Sequence, residues 1–195
     1  MTTSRGTIVI TGASSGLGAE MARQFADLGY DLGLAARRTE RLEQLRAEIL
    51  AAHPDRTVVL EPMDVTDADQ VFAATHRFAE QLGRIDRYVV NAGLGKGAPM
   101  GTGRFDANRQ TVMTNVVGAL AQTEAAMEVF REQQRGHLVM VSSISALRGM
   151  RKTMTAYAAS KAFLNTFSES LRGEEHLREV QAEARAVVAA ALGDA

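Results

Sequence analysis

Residues 7–18 read Thr7-Ile8-Val9-Ile10-Thr11-Gly12-Ala13-Ser14-Ser15-Gly16-Leu17-Gly18, in which a β-branched run leads directly into a glycine-rich segment. A helical pattern of apolar residues follows and stops at Gly29. A strand, a glycine-rich turn and a helix, in this order, form the setting in which backbone N–H groups bind the phosphates of a dinucleotide. Glycine-rich turns also occur for steric reasons alone, and the spacing here is G-x-x-x-G-x-G. The segment favours a phosphate-binding loop made by Gly12, Ser14, Ser15, Gly16, Leu17 and Gly18.

The composition of the 195-residue chain restricts the classes of protein to which it could belong. With 22 Lys and Arg against 23 Asp and Glu, its net charge of −1 gives no electrostatic basis for binding nucleic acid or an anionic membrane. The sequence has no cysteine, and its four histidines lack metal-ligand spacing. No apolar run approaches the roughly 20 residues of a membrane span. We therefore expect one cytoplasmic domain over residues 1–195, without a metal site.

Strand-like and helix-like patterns alternate along the chain. After the first strand at 7–10, apolar and β-branched runs predict strands at 31–35, 57–60, 87–90 and 137–141. Amphipathic patterns predict helices at 38–52, 67–82, 105–130 and 155–171, and a glycine-rich loop spans 95–103. Strands separated by helices form right-handed parallel βαβ units. The sequence therefore predicts an α/β fold with a Rossmann-type, doubly wound parallel sheet.

Two consecutive arginines, Arg37 and Arg38, follow the second predicted strand. Sites that bind NAD commonly place an acid at this point to hold the ribose 2′-hydroxyl. A guanidinium instead matches a 2′-phosphate through its charge and its forked donors. The pair could also serve only to keep the start of a helix soluble, but basic residues are unfavourable in the first turn of a helix. The arginines predict NADP(H) as the cofactor, with Ser14 assisting.

Tyr157 and Lys161 are four residues apart in the predicted helix at 155–171. Residues i and i+4 lie on one face of a helix, so the ammonium of Lys161 would lie near the Tyr157 hydroxyl. A neighbouring cation stabilises phenolate and lowers the pKa of tyrosine from about 10. Such stabilisation of the phenolate would make Tyr157 an effective acid or base near neutral pH. The spacing alone is common, and it gains weight from its position downstream of the glycine loop.

These motifs occur in one order, each in a suitable structural setting, and together they resemble the short-chain dehydrogenase/reductase family. The resemblance covers about residues 5–172. It is carried by Thr11-Gly12-x-x-x-Gly16-x-Gly18, Asp64-Val65, Asn91-Ala92-Gly93, Asn115, Ser142-Ser143 and Tyr157-x-x-x-Lys161. The joint pattern is far more specific than any one of its parts.

The resemblance implies a role for each matching residue. Tyr157 is the general acid/base, Lys161 lowers its pKa and binds the nicotinamide ribose, and Ser143 binds the substrate oxygen. Asn115 positions a water that connects Lys161 to solvent. The remaining cofactor contacts are implied for Asp64, Val65, Asn91, Ala92 and Gly93. In the family, the long helix and the helix after Tyr157 form the dimer face, which implies a homodimer.

The identity of the substrate-binding serine leaves alternatives open. Ser143 lies 14 residues before Tyr157, one more than the frequent spacing of the family. Ser142 and Ser145 are therefore alternatives, although Ser143 fits best as the second serine of the pair.

The end of the sequence departs from the family pattern. Family members continue with a sixth strand ending in Pro-Gly, then lid helices and a seventh strand, whereas no proline follows Tyr157 here. Apolar residues at helical spacing from Leu177 to Ala191 favour a helix over a sixth strand at 185–192, because alanine is depleted in strands. We expect an atypical tail at 173–195, without the usual C-terminal strands and lid, and a nicotinamide pocket open to water.

The sequence supports three hypotheses about function. The first is an NADP(H)-dependent oxidoreductase that transfers hydride between nicotinamide and a small carbonyl or alcohol substrate, and the presence of all key residues favours it. The second is a nucleotide-binding or interaction protein that keeps the fold without turnover, and the third is a truncated gene product. The atypical tail favours these two. We predict the first, with no nucleic-acid or membrane partner.

Overall fold

Six strands and six α-helices alternate in the computed structural model, which describes residues 4–150, 152–174 and 180–185. The strands are β1 (Thr7–Thr11), β2 (Asp31–Ala36), β3 (Val58–Pro62), β4 (Arg87–Val90), β5 (Gly136–Val141) and β6 (Val180–Arg185). The helices are α1 (Gly16–Asp27), α2 (Thr39–Ala52), α3 (Ala68–Leu82), α4 (Phe105–Val112), α5 (Gly118–Glu132) and α6 (Thr155–Glu174). Within the described residues, no helix is both long and apolar enough to cross a membrane.

The described strands pair in parallel, in the order β3-β2-β1-β4-β5-β6. The chain runs outward from β1 to β3, returns to the centre, and then runs outward on the other side from β4. In such a sheet a crevice opens at the carboxyl ends of the two central strands, where the connections diverge. Those strands are β1 and β4, with Val9 opposite Tyr88. The predicted Rossmann-type fold is confirmed.

Apolar side chains are buried on both faces of the sheet, because alternate residues of a strand point in opposite directions. Ile8 and Ile10 of β1 belong to a cluster with Leu42 of α2 and residues of α1. Val9 belongs to the cluster on the other face, with Phe78 of α3 and residues of α5 and α6. Each such buried side chain contributes roughly 1.5–3 kcal/mol. The two layers therefore hold the strand ends, and the loops that follow them, in fixed positions.

Most predicted elements agree with the observed ones to within one or two residues at each end. The fourth strand has the predicted bounds, Arg87–Val90. The predicted helix at 105–130 contains a π-helical turn, Met113–Val117, between α4 and α5. Such a turn accommodates one extra residue and is frequent at functional sites. It contains Asn115, whose side chain is buried.

The prediction of a helical tail is wrong for the part of the tail that the structure describes. Val180–Arg185 forms β6, which pairs with β5 along its whole length, so the sheet has the sixth strand that we expected to be missing. The backbone edge of β5 gains hydrogen bonds from a paired segment, and this outweighs the low strand propensity of alanine. Leu177 and residues 186–195 lie outside the described residues. The expectations about the lid and the open nicotinamide pocket also concern that part of the chain.

Candidate active site

A cleft of about 840 Å³ lies at the carboxyl ends of β1 to β4. The segment that follows each of these strands lines it. The cleft thus brings together the predicted cofactor-binding residues Gly12, Ser14, Ser15, Leu17, Gly18, Arg37, Arg38, Asp64, Val65, Asn91, Ala92 and Gly93. Gly16 begins α1 between two of these residues. Tyr157 and Lys161 are on α6 and do not line this cleft.

Two glycines allow the loop after β1 to pack closely against the strand ends. Gly12 has a φ of 66°, in the left-handed region that favours glycine, and a Cβ atom there would lie 2.9 Å from the Cα atom of Ala92. A Cβ atom at Gly18 would lie 2.5 Å from the carbonyl oxygen of Gly12. A larger residue at either position would displace the loop. The close packing of the glycine loop, which lines the cleft, therefore requires glycine at these two positions.

Thr11, the last residue of β1, ties the glycine loop to the end of β4. Its hydroxyl accepts hydrogen bonds from the N–H groups of Asn91 at 3.1 Å and Ala92 at 3.0 Å, and it donates to the carbonyl of Val89 at 3.3 Å. The side-chain amide of Asn91 donates to the Thr11 carbonyl at 2.8 Å. The motif alone assigned no role to this threonine. The hydrogen bonds make it a positioning residue for two loops of the cleft.

The guanidinium of Arg38 lies against the two serines of the glycine loop. It donates to Ser14 Oγ from Nε at 3.2 Å and from Nη2 at 3.0 Å, and to Ser15 Oγ from Nη2 at 2.7 Å. Ser15 is the N-cap residue of α1, yet its side chain makes no hydrogen bond to the helix. The first N–H groups of α1 therefore keep their capacity to bind an anion, and a cation lies beside them.

Arg37 is more exposed and approaches a carboxylate. Its Nη1 atom lies 3.6 Å from Oδ2 of Asp64, and because 74% of its side chain is exposed, the ion pair contributes little stability. Burial opposes the ionisation of Asp64. Hydrogen bonds from the N–H and hydroxyl of Thr66, together with the charge of Arg37, outweigh that effect and lower the pKa of Asp64. Asp64 is therefore an anion that is already partly neutralised.

Lys161 is buried beside Tyr157 on α6. Its Nζ atom donates a 2.7 Å hydrogen bond to the carbonyl of Val141, at the end of β5, and lies 5.9 Å from the centroid of the Tyr157 ring. The two side chains lie close together, while the predicted approach of the ammonium to the Tyr157 hydroxyl stays a prediction. Lys161 is 5% exposed, and this burial lowers its pKa from 10.5 to about 8. The ammonium form still predominates at neutral pH.

The π-helical turn directs Asn115 into the interior, where its side chain joins the loop after β4 to α6. Its Oδ1 atom accepts a hydrogen bond from the N–H of Leu94 at 2.7 Å. Its Nδ2 atom donates to the carbonyl of Leu94 and to the hydroxyl of Ser160, both at 3.0 Å. A Cβ atom at Gly93 would lie 3.5 Å from Lys161 Nζ and 3.6 Å from Asn115 Oδ1. Lys161 Nζ and Asn115 Oδ1 therefore both lie close to Gly93, which lines the cleft.

The three candidate serines after β5 have different surroundings. Ser142 is buried, and its hydroxyl donates to the carbonyl of Lys161 at 3.2 Å. Ser145 is also buried and donates to Ser143 Oγ from its N–H at 3.2 Å and from its hydroxyl at 2.9 Å. Ser143 is only partly buried, and because its oxygen accepts both hydrogen bonds, its own proton is available to donate. Of the three, Ser143 has the surroundings that a substrate contact requires.

The cleft also has a wall that no sequence motif predicted. Its further lining residues are Ala36, Met63, Thr66, Leu94, Lys96, Arg109, Gln110, Met113 and Thr114. Most of these residues belong to the loop after β4, to α4 and to the π-helical turn. Their approach to the glycine loop depends on how α4 packs against α6, which leaves no local pattern in the sequence.

A family model described as short chain dehydrogenase matches residues 6–190 of the chain. The chain therefore belongs to the short chain dehydrogenase family of oxidoreductases, as the resemblance implied. It is 47% identical over 174 residues to an uncharacterized oxidoreductase of Mycobacterium tuberculosis (strain ATCC 25618 / H37Rv). This match covers 89% of the chain and 69% of the relative.

The solved structures that resemble this fold include complexes with each of the two nicotinamide cofactors. A short chain dehydrogenase/reductase from Burkholderia phymatum in complex with NAD matches with a TM-score of 0.86 and 26% identity, over 93% of this chain and 64% of that chain. The closed form of serine dehydrogenase complexed with NADP+ matches with a TM-score of 0.83 and 26% identity, over 91% of this chain and 70% of that chain. The choice between the two cofactors therefore depends on the residues of the cleft.

Proposed function

We propose that this chain is an NADP(H)-dependent oxidoreductase that transfers hydride between nicotinamide and a carbonyl or alcohol substrate. The observation that carries the proposal is the arrangement of Tyr157 and Lys161 beside the loop after β4, which lines the cleft, with Nζ 5.9 Å from the ring centroid. A Cβ atom at Gly95 would lie 3.9 Å from the Tyr157 ring. The ring therefore lies beside the loop after β4, in which Leu94 and Lys96, the neighbours of Gly95, line the cleft.

The cleft fits the dinucleotide that the family implies. Its volume of about 840 Å³ is within the usual range for pockets that hold cofactors. The glycine loop and the uncapped N-terminus of α1 would hold the phosphates, and Asp64 and Val65 would hold the adenine. When bound, the nicotinamide supplies or accepts the hydride. The chain's own residues orient the reacting groups and handle the proton.

Tyr157 donates a proton to the carbonyl oxygen during reduction and removes it from the alcohol during oxidation. Lys161 is mostly charged below a pH of about 8, and its charge stabilises the phenolate that results. Ser143 donates its free proton to the substrate oxygen, where negative charge develops, and this contact is strongest in the transition state. Asn115 holds the loop after β4 in place and positions a water that connects Lys161 to solvent.

The charges after β2 support NADP(H) over NAD(H). Strand β2 ends at Ala36, so no carboxylate at the strand end is available for a ribose 2′-hydroxyl. Arg38 is held on Ser14, beside the loop, and Arg37 lies on the same side of the cleft. A 2′-phosphate there would meet two guanidinium groups, and the partly neutralised Asp64 would repel it only weakly.

We also propose that the protein is a homodimer through α4, α5 and α6. Phe105 and Val112 are 75% and 40% exposed, although both are large and apolar. With Val116, Ala156 and Ala159 they line an apolar cavity of about 620 Å³ between α4 and α6. Exposed apolar surface of this kind marks interaction sites. A second copy of the chain is the proposed partner because the family resemblance includes the helices of the dimer face. These are the long predicted helix, which corresponds to α4 and α5, and α6.

The experiment that tests the proposed function is a titration with NADPH, followed by nicotinamide fluorescence, and then an assay of NADPH consumption with a panel of carbonyl compounds. We expect saturable binding and consumption of NADPH with at least one carbonyl. Binding without turnover on any carbonyl would favour a nucleotide-binding protein instead. Absence of binding to both NADPH and NADH would overturn the proposal.

A further inference from the structure

Two cations, Lys96 and Arg109, line the cleft together with the glycine loop, but they belong to the loop after β4 and to α4. Lys96 is in the loop after β4, and Arg109 is in α4, one turn before Met113, which lines the same cleft. The Nζ atom of Lys96 donates a 3.3 Å hydrogen bond to Gln110 Oε1. Among the described residues, neither cation has a carboxylate within ion-pair distance. Both charges are therefore available to a ligand in the cleft.

Hydrogen bonds between the loop after β4 and α4 hold this wall in place before any ligand binds. The carbonyl of Lys96 accepts from the hydroxyl of Thr111. Two residues later, Ala98 and Asn108 exchange two hydrogen bonds of 3.1 Å, from the Ala98 N–H to Oδ1 and from Nδ2 to the Ala98 carbonyl. The backbone around Lys96 is therefore fixed to α4, and only the two long side chains must order when a ligand binds.

The charge of the cleft differs from that of the whole chain. The chain carries 22 Lys and Arg against 23 Asp and Glu, but the cleft is lined by four cations, Arg37, Arg38, Lys96 and Arg109, and by one acid, Asp64. A cleft lined mainly by one sign of charge concentrates ligands of the opposite sign. Arg37 and Arg38 account for only two of these four cations, and the proposed function has given no role to the other two, Lys96 and Arg109.

We propose that Lys96 and Arg109 bind the pyrophosphate of the dinucleotide together with the glycine loop. This inference rests on the proposed function. Both residues line the cleft together with the glycine loop, whereas Tyr157 and Ser143 do not line it, which favours the dinucleotide over the reacting carbonyl as their ligand. Arg109 also lines the apolar cavity between α4 and α6, so it lies between the cleft and that cavity. NADH and NADPH share the pyrophosphate. The pair therefore sets the affinity for both cofactors, and the arginines after β2 set the preference between them.

Lys96→Gln, Arg109→Gln and the double variant test the inference by titration with NADPH, NADH and two fragments. ADP-ribose carries the pyrophosphate without nicotinamide, and 2′-AMP carries the 2′-phosphate without pyrophosphate. We expect the double variant to raise the Kd of NADPH, NADH and ADP-ribose by a similar factor of about tenfold or more, and to leave the Kd of 2′-AMP nearly unchanged. Arg38→Gln should show the reverse pattern for the two fragments.

Arg46→Gln is the matched control, because it removes one partly exposed arginine of α2 outside the cleft and should change no Kd. Equal melting temperatures of all variants would show that they are folded. Unchanged Kd values for both cofactors in the double variant would overturn the inference, as would a loss confined to NADPH and 2′-AMP. A raised KM for anionic carbonyl substrates with unchanged Kd values would assign the pair to the substrate instead. If the wild type binds no dinucleotide, the proposed function fails and this inference fails with it.

Discussion

The ammonium of Lys161 donates a 2.7 Å hydrogen bond to the carbonyl of Val141, and so joins α6 to the end of β5. The same buried charge lies 5.9 Å from the Tyr157 ring centroid. Lys161 therefore connects α6, which carries the proposed acid/base Tyr157, to β5, which precedes Ser143. A buried cation in this position also costs stability, because burial disfavours the charged form.

The first prediction concerns the pH dependence of stability. The pKa of Lys161 is about 8 in the folded chain and near 10.5 when unfolded, so the unfolded state binds more protons between these values. The cost of the buried charge is complete below pH 8 and is relieved as the pH rises towards 10.5. Relative to Lys161→Met, the wild type should gain about 2–3 kcal/mol in free energy of unfolding from pH 7 to pH 10.

Urea unfolding of both proteins at the two pH values measures this difference. Other titrating groups affect both proteins alike and cancel. A stability difference that does not change with pH would show that Lys161 keeps an ordinary pKa.

The second prediction concerns cofactor preference. Wild type should bind NADPH more tightly than NADH, and Arg37→Asp should abolish or reverse that preference, because it replaces a partner for the 2′-phosphate with one for the 2′-hydroxyl. Fluorescence titrations with both cofactors measure it. Arg41→Asp, in the exposed part of α2, is the control for a change of two charge units. Equal affinity of the wild type for NADPH and NADH would contradict the prediction.

The third prediction concerns assembly. Val112→Asp places a charge in the apolar surface between α4 and α6 and should shift the protein from dimer to monomer in sedimentation experiments. Leu28→Asp, at the end of α1, changes a residue that is 50% exposed and lies outside the proposed interface, and it should leave the dimer intact. A wild type that sediments as a monomer at all concentrations would rule out the dimer.

The fourth prediction concerns β6. A chain that ends after Glu174 lacks β6 and leaves the edge of β5 unpaired, whereas a chain that ends after Arg185 keeps the strand. The shorter chain should melt at a lower temperature, by about 2–4 °C for each kcal/mol lost, and should aggregate more readily. Equal melting temperatures and solubility of the two chains would show that β6 contributes nothing to stability.

The sequence predicted the elements and site residues that depend on local patterns. Local sequence patterns predict β1, β2 and β4, and these strands are followed by the glycine loop, Arg37 and Asn91. Because the strands are parallel, the three segments meet at the carboxyl edge of the sheet. Lys96 and Arg109 belong to a loop and a helix whose approach depends on tertiary packing, and neither is in a motif. The π-helical turn around Asn115 has no periodic pattern of its own, and β6 exists because β5 offers it an edge.

The most direct test of the proposed chemistry is the rate of NADPH-dependent carbonyl reduction by Tyr157→Phe, compared with the wild type. The substitution removes only the phenolic hydroxyl that donates the proton, so the variant should bind NADPH with nearly unchanged Kd. We predict that its kcat falls by about 100-fold or more, in line with the loss of a general acid. A variant with unchanged NADPH affinity and a kcat close to that of the wild type would show that the proton comes from another group.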